Sequence, residues 1–255
     1  MIIIGLGSGR TGTASLSHLI GSQENAICFH ELNPTGCVFE DNPQPILNTI
    51  NEFQAILNAG KKSLLAIDYS RKASLDKYQE LQKMNQVNMI GDIAYYYLNY
   101  VDDILNINSN VRFICIKRDR SQTVASWMVK SSINRWPSLW LADRLKSIIT
   151  RSPFHKSKNF WQQHDGTVWQ HDPVWDKTFP NFEAGSKEEA IGKYWDYYYE
   201  KATRIQEKNP EHFKIFPIEA MSSQEGQVEI LSFIGLDKGK MILKDEFHLH
   251  KINTK

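Results

Sequence analysis

Three groups of residues in this chain have the types and spacing for chemistry. The first is the stretch Gly5 to Ser15, GLGSGRTGTAS, where glycines alternate with Ser8, Arg10, Thr11 and Thr13. Glycines let the backbone turn tightly with its N–H groups converging, and a helix starting behind the turn adds the positive end of its dipole. Such a stretch is built to hold an anion, and Arg10 sets a permanent cation in its middle. The second is His30-Glu31, two ionisable side chains behind the apolar run Ala26–Phe29; a carboxylate there can serve as a general base. The third is Lys117-Arg118-Asp119-Arg120, a crowd of charge behind the apolar run Phe113–Ile116, with Ser126 eight residues after Arg118.

Two well-known phosphate loops compete for the first stretch. A Walker loop needs Gly, four residues, then Gly-Lys-Ser/Thr; four residues on from Gly5 the chain has Arg10, and no Gly-Lys pair follows in the loop, so the spacing fails. Gly7, Gly9 and Gly12 do satisfy G-x-G-x-x-G, and Glu31 lies nineteen residues past Gly12, near the place of a ribose-binding acid. An NAD(P)-dependent oxidoreductase is therefore one alternative, and a non-catalytic nucleotide-binding protein another. Against the dinucleotide loop stand Ser8, Arg10, Thr11 and Thr13, donors and a cation suited to a more highly charged group. Zinc chemistry at His30-Glu31 would need His where Pro34 stands.

The elements that must carry these residues follow from periodicity. Ile2–Ile4 is a β-branched strand, and Leu16, Leu19 and Ile20 recur at helical spacing behind the glycine loop. Ala26–Phe29 is a second strand, and in open α/β sheets ligands bind beyond the carboxyl ends of the strands, which puts Glu31 beside the loop. Residues 43 to 62 form a helix through Ile46, Leu47, Ile50, Phe53, Ile56 and Leu57. Ser63–Asp68 reads as an apolar strand whose Asp68 is structural. Val87–Asp92 reads as a strand, with a long amphipathic helix from Ile93 to Leu105 capped by Asp92. Phe113–Ile116 has the pattern of a strand buried on both faces of a parallel sheet, and Ser121 caps the helix that follows. On that helix Ser126 lies roughly 200° from Val124, away from the core stripe. Residues 132 to 185 are a loop-rich insertion dense in Trp and Phe. Ser186 opens a scaffold helix with a capping signature, Phe213–Ile218 is a last strand, and residues 226 to 234 are a closing helix ended by Gly235.

Composition sets the outer limits. A chain of 255 residues with 41% hydrophobic content buries a sizeable core, and one domain spanning 1–255 is the expectation. Its 30 basic and 29 acidic residues nearly cancel, which argues against nucleic acid or anionic membrane as partners and makes any anion site local. Cys28, Cys37 and Cys115 show no Cys-x-x-Cys pair and read as reduced thiols. The sequence shows no signal peptide and no run of about eighteen apolar residues, so a cytoplasmic protein without transmembrane segment is expected. His248 and His250 read as incidental rather than metal ligands.

With those residues in view, the chain resembles the sulfotransferases. GSGRTGTASL is similar to the family's 5′-phosphosulfate loop, a basic residue followed by Ser/Thr-Gly-Thr and a helix, which grips 3′-phosphoadenosine 5′-phosphosulfate (PAPS). The resemblance gives Arg10 the place of the basic residue and assigns Gly9, Thr11, Gly12, Thr13, Ala14 and Ser15 to the same loop; many members have Thr where this chain has Ala14. It gives Arg118 and Ser126 the 3′-phosphate, through an Arg at a strand end and a Ser eight residues on. Several branches draw their base, often Glu, from the end of the strand after the loop helix, which favours Glu31, with His30 as the alternative. IGDIAYYYLNYVDDIL and FKIFPIEAMSSQEGQVEILSFIGL are similar to later family segments, the former giving Asp92 an acceptor contact as a second role, and Lys238 or Lys251 stands where a further basic contact to the 3′-phosphate falls. The fold implied is α/β, three-layer, with a mostly parallel sheet of about five strands flanked by helices. The function implied is transfer of the sulfuryl group from PAPS to a hydroxyl or amine of a small-molecule, carbohydrate or lipid acceptor, without a metal, leaving adenosine 3′,5′-bisphosphate (PAP), with the aromatic insertion shaping the acceptor site.

Overall fold

Five short strands make one sheet, β1 (Ile2–Leu6), β2 (Ala26–His30), β3 (Met89–Ile93), β4 (Val111–Lys117) and β5 (Phe213–Pro217). Their order is β2-β3-β1-β4-β5 and every pairing is parallel. The structure is a computed structural model that describes residues 1–34, 42–60, 62–69, 71–131, 145, 148–149, 184 and 186–244. Cys37, the aromatic insertion, His248, His250 and Lys251 fall outside the described residues, apart from isolated positions in the insertion.

The sheet is covered on both faces, which is why its strands read as continuous apolar runs. Alternation survives inside those runs. Ile2, Ile4 and Leu6 of β1 join Ile27, Phe29, Phe113 and Cys115 on one face, while Ile3 joins Cys28, Ile93, Ile114 and Ile116 on the other. The first face is covered by α2 (Gln44–Ala59), α3 (Lys72–Lys83), α4 (Val101–Ile107), α5 (Arg120–Ser131) and α6 (Lys187–Lys208). The second is covered by α1 (Thr13–Gly21) and α7 (Gln224–Phe233). Helix α2 docks through Ile46, Ile50, Phe53 and Ile56, all buried, each side chain worth about 1.5–3 kcal/mol of transfer free energy. This is the three-layer parallel α/β arrangement expected from the sequence, and Cys28 and Cys115 are both buried free thiols within it.

Several local expectations are corrected. Residues 63 to 68 form no strand; the Leu65 and Ala66 N–H groups donate to the Glu52 carboxylate, and only Asp68 N–H reaches back to the Leu32 carbonyl. The backbone there is satisfied by a side chain, so no ladder forms. The long helix expected from Ile93 is replaced by extended Ala94, a 3-10 turn at Tyr95–Tyr100 and the short α4. Asp119, not Ser121, caps α5: its carboxylate accepts the Gln122 N–H at 3.0 Å, and its carbonyl accepts the Thr123 N–H. Ser186 does cap α6, accepting the Glu189 N–H at 3.1 Å.

Candidate active site

The glycine loop leaves the carboxyl end of the central strand β1, where the chain crosses to α1 and where the neighbouring β4 sends its own exit the other way. A crevice opens at such a reversal. Gly9, Arg10 and Gly12 are all left-handed, at φ 81°, 59° and 82°. Gly9 is held to glycine twice over, because a Cβ there would also come within 2.6 Å of Trp127 Cζ2. Gly7 and Ser8 give their N–H groups to the phenols of Tyr198 and Tyr199, at 3.0 and 3.5 Å. From Gly9 to Ser15 the backbone N–H groups have no partner among the described residues; the first bond of α1 is Leu16 N–H to the Gly12 carbonyl at 3.1 Å. Seven successive donors left unpaired among the described residues at a helix start are available to an anion.

Arg118 stands at the end of β4, which pairs with β1 through Leu6 and Cys115. Its guanidinium donates to the Arg10 carbonyl at 3.2 Å and to Gln122 Oε1 at 3.2 Å. Arg10 in turn donates from Nε to Ser126 Oγ at 3.1 Å. The three residues placed far apart in sequence therefore meet. Neither arginine pairs with a carboxylate among the described residues, whereas Arg120 nearby holds Asp196 through two bonds of 2.8 Å. Burial pulls the Arg10 pKa down, and the Arg118 charge beside it pulls further in the same direction. Two adjacent half-buried cations with no acid between them are electrostatically costly, and an anion with more than one charged group relieves that cost.

Two strand spacings from β1, about 10 Å, β2 ends in His30 and Glu31. His30 Nε2 hydrogen-bonds the Thr13 hydroxyl at 3.0 Å, which ties this strand end to the anion loop. Glu31 is left-handed at φ 54°, unusual for a residue that is not Gly, Asn or Asp. Its N–H donates to the Ile93 carbonyl at 3.0 Å and its partly exposed carboxylate meets Arg71 at 3.1 Å. The next N–H, of Leu32, points between both oxygens of Asp92 at 3.1 and 3.2 Å. Asp92 is fully buried and also accepts the hydroxyls of Tyr96 and Tyr97, at 3.1 and 2.8 Å. Neither a helix cap nor a surface group, it fixes the turn that carries Glu31. Burial raises its pKa to about 6, against the opposing pull of those hydrogen bonds.

The structure thus gathers Gly9 to Ser15, Arg118 and Ser126 into one place and sets His30 and Glu31 beside it. It does not gather Lys238: Gly235 lies against Met1, and Ile242 bonds Gln23, both at the amino ends of the strands, so the 3-10 turn Lys238–Lys240 is anchored away from their carboxyl ends. Asp68 makes no part of it. The dinucleotide alternative also loses its support, because in that fold β2 lies beside β1, and here β3 stands between them. Sequence reasoning missed Arg71, Trp195, Tyr198 and Tyr199. The last three stand at i, i+3 and i+4 of a helix taken as scaffold, and that aromatic stripe was the available signal.

No family model and no curated protein matches the chain. Among solved structures it is similar to the crystal structure of a sulfotransferase from Alicyclobacillus acidocaldarius, with 11% identity over 97% of this chain and 85% of that one and a TM-score of 0.46. It is likewise similar to the sulfotransferase domain from the curacin biosynthetic pathway, with 11% identity over 93% of this chain and 74% of that one and a TM-score of 0.44. Likeness at that level transfers no residue role. Among the described residues no helix is long and apolar enough to cross a membrane, and no three His, Cys, Asp or Glu side chains cluster as metal ligands.

Proposed function

We propose that the protein is a PAPS-dependent sulfotransferase. The observation that carries it is the meeting of Arg10, Arg118 and Ser126 at the start of α1, two cations and a hydroxyl beside seven N–H groups without a partner among the described residues. A nucleotide with charge at both its 5′ and 3′ positions uses both halves of that arrangement. The loop from Gly9 to Ser15 holds the 5′-phosphosulfate, and Arg118 with Ser126 holds the 3′-phosphate.

In the transfer, a bond forms between the acceptor oxygen or nitrogen and sulfur while the bond from sulfur to the bridging phosphate oxygen breaks in line. Glu31 takes the acceptor proton, and Arg10 with the loop N–H groups stabilises the charge growing on the departing phosphate. His30, bonded to Thr13, keeps the base's strand end in register with the loop and is the alternative base. The acceptor is a hydroxyl or amine compound entering on the Glu31 side, of small-molecule, carbohydrate or lipid class. Competition among PAP, NAD and ATP with magnesium, read by calorimetry, tests the assignment: PAP should bind tightest, and a preference for NAD or ATP would overturn it.

A further inference from the structure

We propose that Trp195, Tyr198 and Tyr199 form a positioning face through which one helix, α6, sets both halves of the anion site. The inference rests on the reading of that site as an anion clamp but adds residues that touch no ligand. Each of the three polar tips ends on main chain at the carboxyl edge of the sheet. The Tyr198 phenol accepts the Gly7 N–H at 3.0 Å and donates to the Tyr95 carbonyl at 3.3 Å. The Tyr199 phenol accepts from Ser8, N–H at 3.5 Å and hydroxyl at 3.4 Å, and donates to the Ile116 carbonyl at 2.7 Å. Trp195 Nε1 donates to the Arg118 carbonyl at 3.1 Å. One helical stripe therefore clips together the exits of β1, β3 and β4.

The chemistry of the tips is specific. Phenylalanine would fill the same apolar space, so the hydroxyls are what the face adds. Both phenols are buried, and burial pushes their pKa upward, so each stays protonated and acts as acceptor and donor at once. By taking up the N–H groups of Gly7 and Ser8, they leave only those from Gly9 onward to turn toward a ligand. A loop released from the phenols relaxes to satisfy its own N–H groups, and binding then has to reverse that relaxation. The face is itself fixed to α5 by the Arg120–Asp196 pair and to the end of β4 by Lys117, whose ammonium lies 5.1 Å from the Trp195 ring and 5.5 Å from that of Tyr199.

The test titrates PAP and, separately, inorganic sulfate into the wild type, Tyr198→Phe, Tyr199→Phe, the double variant and Trp195→Phe, with thermal midpoints recorded for each. Gln23→Leu is the control, because Gln23, itself buried, donates to the Leu19 and Ile242 carbonyls at the amino ends of the strands. Each tyrosine variant should weaken PAP about tenfold and the double about a hundredfold, with sulfate weakened in parallel. Trp195→Phe should weaken PAP, and Gln23→Leu should lower the midpoint while leaving both affinities unchanged. Tyrosine variants that lose stability yet bind both probes within twofold of wild type would overturn the inference. Wild type that binds sulfate but not PAP would overturn the PAPS assignment alone, with the tyrosines still read on sulfate. Wild type that binds neither would overturn both.

Discussion

Replacing Asp92 with Asn should make the protein more stable at neutral pH, by an amount that depends on pH in a defined way. Asp92 is fully buried and its partners are neutral donors, the Leu32 N–H and the hydroxyls of Tyr97 and Tyr96. Burial raises its pKa from 3.8 to about 6, the hydrogen bonds opposing and the Glu31 charge adding to the rise. The folded state therefore binds more protons than the unfolded one between about pH 4 and 6, and the contribution of this group to stability falls as pH rises through that window. Above it, the ionised carboxylate costs roughly 3 kcal/mol relative to its neutral form. Asn has nearly the same shape, keeps an oxygen for the Leu32 N–H and never ionises. Urea titrations of wild type and Asp92→Asn at pH 4, 5, 6 and 7.5 should show an advantage for the variant of up to roughly 3 kcal/mol at pH 7.5, vanishing toward pH 4. PAP affinity should be unchanged, because Asp92 lies under the Glu31 turn and not the anion loop. A variant less stable than wild type at pH 7.5, or a difference constant with pH, would show that the neutral hydrogen bonds to Asp92 outweigh the cost of its buried charge and refute the prediction.

Three further outcomes follow from the site. Glu31→Gln should lower the rate of sulfuryl transfer about 100- to 10,000-fold with PAP affinity unchanged; retention of full rate in Glu31→Gln together with its loss in His30→Asn would move the base to His30. Arg10→Ala should cut transfer by roughly 100- to 1,000-fold, the scale for losing a donor aimed at developing charge, with little change in urea midpoint. An unimpaired rate in that variant would remove Arg10 from the chemistry. Gly9→Ala should weaken sulfate and PAP tenfold or more, since φ 81° strains any Cβ and Trp127 blocks the space; calorimetry that finds wild-type affinity would show the loop free to choose another shape.

The parallel sheet was legible because β1 and β4 are runs of β-branched and apolar residues too continuous for a half-exposed sheet. The glycine turn into α1 was legible because glycine placement and helix starts have strong local causes. Residues 63 to 68 were misread because their apolar run imitates a strand, while the Glu52 carboxylate that satisfies the backbone comes from a helix eleven or more residues earlier. Asp92 was misread for a related reason: an Asp before a helical pattern suggests a cap, and only the strand order shows that Leu32, Tyr96 and Tyr97 enclose it. The aromatic stripe of α6 announced burial but not its hydrogen bonds to Gly7, Ser8 and Arg118, which join residues 77 to 191 positions apart. Contacts of that kind leave no periodic trace in a sequence.

The proposed function requires one nucleotide to span the loop and the Arg118–Ser126 pair. Its most direct test is calorimetric titration of PAP against adenosine 5′-phosphate, which lacks the 3′-phosphate, into wild type and Arg118→Ala. Wild type should prefer PAP by at least tenfold, and Arg118→Ala should bind both ligands alike. Equal affinity of wild type for the two, or a PAP preference that survives in Arg118→Ala, would contradict the claim.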